Sequence, residues 1–497
     1  MKHLLSGYIK IALFLFIGCF SINHCQASWV DTSDIYLRSD IQALADAGII
    51  KTPVNTFPLM WSGIKHDLTI TNINKIPADL INTFNRVNKK ATSAEQINST
   101  SIDVTLATDP ARFLHFGSDY REKGQMTIKQ SLDFQRIHFN LSASANLDAT
   151  DDKTFRLDNS YLSIPIGNWQ LSAGAFQQWY GPGYDTSLQK SNNARPLPTI
   201  MINRNDAHGF ETPWLSWIGP WTLATSISSM ESDRAVANPL LWNFRGTFRP
   251  FKQLEIGASW AIQFCGKGQP CGWKRFFDAI TGGTECSSQC GPGFMSKDGA
   301  QLAGYDVRYT DSLFGIPLGV YYQRTCEDSK GSGVVEIVDC GFLAGIDTRF
   351  TLNKQSQKLF IEYSDTLVAC GSDPHIFNCF YEHSTYRSGY RYYRKTLGST
   401  YESDSRSIVA GLINQFDNQQ ALTALLRYVE LNKDGSSPNT SWSPQIAKER
   451  LKMLELSYRL PLWQGMVSFG GTVSNSQFTA AKTKNNATIF GRYNYQF

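Results

Sequence analysis

Apolar residues fall on every second position of this chain, segment after segment, and that period of two limits what it can fold into. Leu254, Ile256, Ala258, Trp260, Ile262 and Phe264 alternate with small or polar residues, as do Leu454, Leu456, Tyr458 and Leu460, and Val467, Phe469, Gly471 and Val473. Successive side chains of a strand point to opposite faces, so each segment carries one apolar and one wetter face. No segment beyond the first 27 residues has the roughly 18 consecutive apolar residues of a helical membrane span. A soluble chain of this length would divide into about two to four domains with buried apolar runs. Here aromatics reach 13% and charges stand at 18%, and the apolar residues are spread by alternation instead. Backbone in lipid must satisfy its own polar groups, which strands do by closing into a barrel. The expected fold class is all-β, an antiparallel outer-membrane β-barrel.

The connections test that expectation independently, because such barrels have short periplasmic turns and long outer loops. Working back from Phe497, tight turns fall near Pro461–Gly465, Phe416–Gln420, Asn353–Gln357, Leu313–Pro317 and Pro250–Gln253. Long polar stretches lie between them near 476–487, 432–449, 368–403, 326–341 and 265–300. Upstream, strands are expected near 101–107, 125–133, 137–147, 154–165, 170–178, 210–217, 221–229 and 241–249. The total is about 18, with both ends in the periplasm. The last strand places Ile489, Gly491, Tyr493, Tyr495 and Phe497 on one face. A final strand of alternating aromatics ending in Phe is the kind of signal that the outer-membrane assembly machinery reads.

Residues 1–27 describe an export signal: Lys2 and Lys10, the short apolar run Ile11–Gly18, and the small-residue exit Cys25-Gln26-Ala27. Lipidation at Cys19 is the alternative, with Phe16 standing where Leu is normal. Residues 28–100 read as a small periplasmic helical region. Leu37, Ile41 and Leu44 repeat at helical spacing and stop at Gly48; Pro77 opens a second helix with Leu80, Phe84 and Val87 on one stripe. Residues 101–497 are then the transmembrane barrel with its extracellular loops. With 47 basic and 43 acidic residues overall, two of the basic ones in the signal, the remainder carries a net +2. That charge offers nucleic acid no net field, so ligand electrostatics must be local. Ten cysteines less Cys19 and Cys25 leave eight, all between Cys265 and Cys379 and all in long stretches. Outside the cell, each set can pair within its own loop as disulfides.

Three segments resemble a known family. Trp179-Tyr180-Gly181-Pro182-Gly183-Tyr184 with Ser191-Asn192-Asn193-Ala194-Arg195-Pro196, the run Phe210–Trp221, and Asp34–Ile50 with Leu37-Arg38-Ser39-Asp40-Ile41 are similar to the Wzi capsule-assembly family. The matches cover about 28–265; the cysteine-bearing loops depart from the pattern. The resemblance implies an 18-stranded outer-membrane barrel with a periplasmic helical bundle. It also implies a role in holding capsular polysaccharide at the cell surface as a lectin rather than an enzyme.

Two stretches carry residues suited to that work. Trp179–Arg204 is expected at the outer end, shaped by Gly181-Pro182-Gly183 and by Pro196 and Pro198. Arg195 and Arg204 would bind carboxylates of an acidic polysaccharide through paired N–H donors, or would brace a loop folded into the lumen by pairing with Asp185, Asp206 or Glu211. The run Tyr381–Lys395 sets Tyr386, Tyr390 and Tyr393 among Arg387, Arg391 and Arg394. Aromatic faces accept the C–H side of sugar rings and arginines meet uronate or pyruvyl groups. The rival reading is an interfacial aromatic belt with lipopolysaccharide-contacting cations. Lys267, Trp273, Lys274 and Arg275 are a weaker version of the same mixture.

Catalytic and metal readings find little support. The histidines are scattered, and His375 and His383 with Cys370 and Cys379 match no familiar zinc spacing. There is no Gly-x-Ser-x-Gly motif with a clear triad and no phosphate loop. The expectation is a monomeric lectin-like protein without cofactor or catalytic residues, in contact with surface polysaccharide, outer-membrane lipid and lipopolysaccharide. A porin-like channel is the alternative, since barrels of 16–18 strands leave an aqueous lumen unless something fills it.

Overall fold

A computed structural model describes residues 28–94, 98–134, 137–280, 299–330, 336–352, 355–369, 379–416, 418–435, 447–479 and 482–497. The expected signal peptide with Cys19 lies outside the described residues, as do Cys286, Cys290, Cys370 and His375. Eighteen strands close into one antiparallel barrel. They are β1 (Asn98–Ala107), β2 (Gly124–Phe134), β3 (Ile137–Leu147), β4 (Ser160–Ile166), β5 (Trp169–Ala175) and β6 (Pro198–Arg204). Next come β7 (Trp221–Ser229), β8 (Leu240–Phe251), β9 (Leu254–Phe264), β10 (Ala300–Leu313), β11 (Ile316–Lys330) and β12 (Glu336–Leu352). The last six are β13 (Gln355–Asp365), β14 (Arg406–Gln415), β15 (Ala421–Leu431), β16 (Glu449–Leu462), β17 (Gly465–Phe478) and β18 (Lys484–Gln496). β18 closes on β1 with Tyr493 opposite Val104.

The alternation sorts as expected. Ile361, Leu456, Val473 and Ile489 face outward, where lipid replaces water, while Arg245, Arg308, Lys358 and Arg427 point into the barrel and are buried. Arg308 holds Asp347 at 2.6 Å and Lys358 holds the same carboxylate at 3.3 Å. Such charges survive burial because each is paired.

Two expectations are corrected. Residues 210–217 form no strand; the sixth strand is Pro198–Arg204, and 205–220 is a long excursion at the short-turn end containing a 3-10 turn at Ser216–Ile218. Pro213 lacks the N–H a ladder needs, and Trp214 and Trp217 stay exposed. In 198–204 the alternation is sound, with Thr199, Met201 and Asn203 buried and Ile200 and Ile202 outward. Nor is 326–341 a long loop: β11 and β12 run through it, and Cys326 and Cys340 are cross-strand partners joined as a disulfide. Cys265 and Cys271 pair within one loop, as expected, and Cys379 is also disulfide-bonded.

Residues 28–94 build three helices, α1 (Ile35–Asp46), α2 (Trp61–Ile70) and α3 (Ile81–Ser93). Asp34 caps α1 by accepting from the N–H of Tyr36 and Leu37, and Gly48 follows its end with φ of 75°. The sequence stripe gave no sign of α2, which has no side-chain cap; Ile64 and Leu68, one turn apart, are buried in the docked unit. Ile41, Leu44, Phe84 and Val87 share a core with Val409, Ile413, Leu425 and Val429 of the barrel wall. Polar clamps add direction: Arg308 meets Asp46 at 2.9 Å, Arg249 donates to the carbonyls of Ile50 and Ala45, and Glu255 accepts from the N–H of Val54 and Asn55.

From the other end, residues 176–197 descend into the lumen rather than standing at the outer surface. Trp179 and Tyr180 pair with Phe57 and Thr56, and Arg38 of α1 donates to the carbonyls of Gly183 and Pro182 at 2.8 and 3.0 Å. The Arg38 guanidinium also lies 4.3 Å from the ring centroids of Phe116 and Tyr184. Leader and loop therefore meet inside the barrel and fill it.

Within this plug, Lys190 is buried with its ammonium unpartnered among the described residues. Burial pushes its pKa down to about 7. An unfolded lysine titrates near 10.4, so between about pH 7 and pH 10 the unfolded chain binds the extra proton and stability rises with pH. In Lys190→Met that rise should be absent, and near neutral pH the variant should melt several degrees above the parent. Thermal loss of the heat-modifiable barrel across this pH range measures it. Equal melting at every pH would show that the lysine is solvated or paired.

Candidate functional site

The outer end is dominated by the segment between β13 and β14, which folds back over the plug. Its centre is a small hairpin in which Arg391 pairs with Thr396 and Tyr392 with Lys395. The two residues between them, Tyr393 and Arg394, have φ of 46° and 63°. A two-residue turn of this hand requires positive φ at both positions and is usually made with Asn-Gly. Two bulky residues there carry backbone strain, as Trp463 and Gln464 also do, at φ of 49° and 61°, in the turn between β16 and β17. The turn holds Tyr393 and Arg394 at its tip.

Everything beneath the tip is anchored. Arg391 is buried and grips Glu382 at 2.7 Å and Glu402 at 2.9 Å, while Glu402 also accepts from the Thr396 N–H. Arg234 donates to the carbonyls of Arg391 and Gly389, both at 2.9 Å, and Glu231 accepts from the Tyr393 N–H. Tyr390 and Tyr381 donate through their hydroxyls to the carbonyls of Gln189 and Leu188 in the plug, at 3.0 and 2.7 Å. Tyr386 does the same to the Cys265 carbonyl at 2.9 Å. The cluster of Tyr381, Tyr390, Tyr392, Leu197 and Leu302 seals the floor.

At the tip, two cations from other elements lie near the Tyr393 ring. Arg195 lies 5.3 Å and Lys153 5.9 Å from its centroid. Arg195 is neutralised by a two-pronged pair with Asp158, at 2.9 and 2.7 Å, and by Asp151. Lys153 and Arg394 are exposed beside it, as is Arg387 elsewhere in the loop.

The eight expected binding residues therefore divide. Tyr393, Arg394 and Arg195 come together, and Arg387 is exposed. Tyr386, Tyr390 and Arg391 are corrected from an exposed surface to the buried frame: their hydroxyls and guanidinium are consumed inside the protein. Arg204 is corrected to the opposite end of the barrel. There its guanidinium stacks 3.7 Å from the Trp221 ring centroid and donates to the carbonyls of Trp221 and His208. Arg195 does brace a loop, but through Asp151 and Asp158 rather than Asp185, Asp206 or Glu211. Lys153, Glu231 and Arg234 carry no sequence signal because each acts on a partner distant in the chain, whereas Glu402 serves Arg391 and Thr396 of its own loop once the hairpin folds. The zinc reading of the cysteine loop loses two of its members: Cys379 is oxidised, and His383 accepts the N–H of Thr385 and Tyr386 through Nδ1. Burial lowers the His383 pKa to about 4, so the ring stays neutral.

The family model of the capsule assembly protein Wzi matches residues 93–489. The chain belongs to that family. The match extends well past residue 265, through the cysteine-bearing loops that depart from the expected pattern. A 55.8 kDa protein in the cps region of Klebsiella pneumoniae is 27% identical over 68% of the chain and 66% of its own length, just under two thirds. The solved outer-membrane protein Wzi of Escherichia coli, described as a carbohydrate-binding β-barrel involved in group 1 capsule assembly, aligns with a TM-score of 0.81 at 22% identity. That alignment covers 95% of the chain and 100% of the solved one. The Wzi-family fold and an outer-membrane location follow.

Proposed function

We propose that this Wzi-family barrel holds an acidic surface polysaccharide at its outer end, by binding alone and without catalysis. The observation that carries the reading is the half-exposed Tyr393 ring at the hairpin tip, with Arg195 at 5.3 Å, Lys153 at 5.9 Å and Arg394 exposed beside it. An aromatic face stacks on the C–H side of a sugar ring, while exposed cations attract carboxylates carried on the polymer. The family and the Escherichia coli relative's description support a carbohydrate ligand, and the exposed cations are what favour an acidic one. The filled lumen favours this reading over a channel.

The refolded protein should retain a uronate-containing polysaccharide and release it as salt is raised, and should retain a neutral glucan poorly. In planar bilayers it should be electrically silent. Large steady conductance steps with no polymer retention would replace the binding reading with the channel one.

A further inference from the structure

At the short-turn end, far from the Tyr393 surface, three side chains from two separate parts of the chain converge. His66 projects from α2; Asp206 and His208 lie in the excursion between β6 and β7. One ligand atom from each lies within 4.8 Å of the others, and among the described residues this is the one such group of three. The two imidazole rings stand 4.2 Å apart edge to face, and Asp206 Oδ1 is 2.6 Å from His208 Nδ1.

The backbone carrying these groups is held in place. Asn168 exchanges hydrogen bonds with Asp206, accepting from its N–H at 2.7 Å and donating to its carbonyl at 3.1 Å. Arg204 donates to the His208 carbonyl at 2.9 Å, and the Trp221 N–H to the Ala207 carbonyl at 2.8 Å. Ser62 on α2 donates to Asn205, so helix and excursion are fixed to each other one residue before Asp206. A cavity of about 230 Å3 opens beside the three side chains, lined also by Lys51, Thr52 and Asp67. Asp67 is already committed to the N–H groups of Lys51 and Thr52.

We propose that His66, Asp206 and His208 bind one divalent transition-metal ion of the zinc class, which staples the helical leader to the barrel. Two imidazoles and a carboxylate with a fourth position open to solvent is the donor set of a three-ligand zinc site. Bonds of about 2.0–2.1 Å place tetrahedral ligand atoms roughly 3.4 Å apart. Reaching that from the observed spacing asks the exposed His66 and His208 and the half-buried Asp206 to shift their side chains by about an ångström, opening the 2.6 Å Asp206–His208 contact, while the backbone stays where it is. The cavity admits the ion and its water.

The test uses the mature protein in detergent, cleared of metal with chelator and titrated with Zn2+ alone by calorimetry. Co2+ then serves as a spectroscopic probe, since imidazole ligation gives visible ligand-field absorption. One Zn2+ per chain at micromolar affinity or tighter is expected. Affinity should fall about tenfold or more in His66→Ala, in His208→Ala and in Asp206→Asn, with heat-modifiability unchanged. Zn2+ should also slow tryptic cleavage at Lys51 and Lys65 in the parent but not in the variants. Zn2+ binding that survives the His66→Ala/His208→Ala pair, or no saturable binding below about 1 mM, would overturn the site. Binding without protection of the leader would overturn the staple.

Discussion

Replacing Arg427 by Met is expected to free the plug from the barrel wall and to cost more stability than other single changes to the lumen. Arg427 on β15 is fully buried, 2.8 Å from Asp185 in the plug and 2.5 Å from Glu455 on β16. Tyr401 donates to the same Asp185, and His115 meets Glu455 at 3.4 Å. One guanidinium therefore holds together the plug, two strands and both outer segments that cap them. Met matches its apolar length but leaves two buried carboxylates facing each other, which costs roughly 3–5 kcal/mol. The plug is the part that can move, so Lys190 should become cleavable by trypsin and steady current should appear in bilayers. Neutralising all three positions, Arg427→Met with Asp185→Leu and Glu455→Met, should recover much of the loss, because apolar replacements of a buried ion cluster are often tolerated. If Arg427→Met melts and resists trypsin like the parent, the cluster does not secure the plug.

That cluster also marks the boundary of what the sequence discloses. The barrel was legible because alternation is local: Leu254, Ile256, Ala258 and Trp260 advertise a lipid face within seven residues, whatever lies across the sheet. Helix α1 was legible for the same reason, with its Ile41 and Leu44 stripe and Gly48 stop. Helix α2 was not, since Ile64 and Leu68 find their partners only in the docked leader. The expected strand at 210–217 failed where Pro213 broke the ladder, and the true one began at Pro198, a residue that reads as a turn.

The site shows the limit more sharply. Tyr381–Lys395 reads as one exposed mixture of aromatics and cations, yet the loop turns inward and spends Tyr381, Tyr386 and Tyr390 on carbonyls of the plug and a neighbouring loop, and Arg391 on acids of its own loop. Composition states what a segment can bind; closure of the loops decides which residues remain free to do it. Arg195 illustrates the same point from the other side. A pairing partner is foreseen in kind, but Asp185 is taken by Arg427 and Asp206 lies at the opposite end of the barrel, and Arg195 pairs with Asp151 and Asp158 instead.

Tyr393→Gly is expected to abolish most polysaccharide retention while leaving the fold intact or slightly firmer. The residue sits at φ of 46°, where glycine is unstrained and tyrosine is not. Loss of the ring removes the stacking face, on the order of a tenfold change in affinity for one aromatic contact. Because stacking is insensitive to salt, the remaining binding should keep the parent's salt dependence. Lys153→Gln with Arg387→Gln and Arg394→Gln should do the reverse, weakening retention chiefly at low salt and flattening its response, since exposed charges are screened over about 10 Å at 0.1 M. Arg391→Gln serves as the contrast: it strands Glu382 and Glu402 in the interior, so it should lower the melting temperature and lose binding through misfolding. The measurement is polymer retained by cells carrying each variant at two salt concentrations, beside the melting temperature of each purified barrel. Undiminished retention by Tyr393→Gly would remove the hairpin tip from the binding surface and leave the exposed Trp273 and Phe277 of the helix Trp273–Ile280 as the next aromatic faces to test.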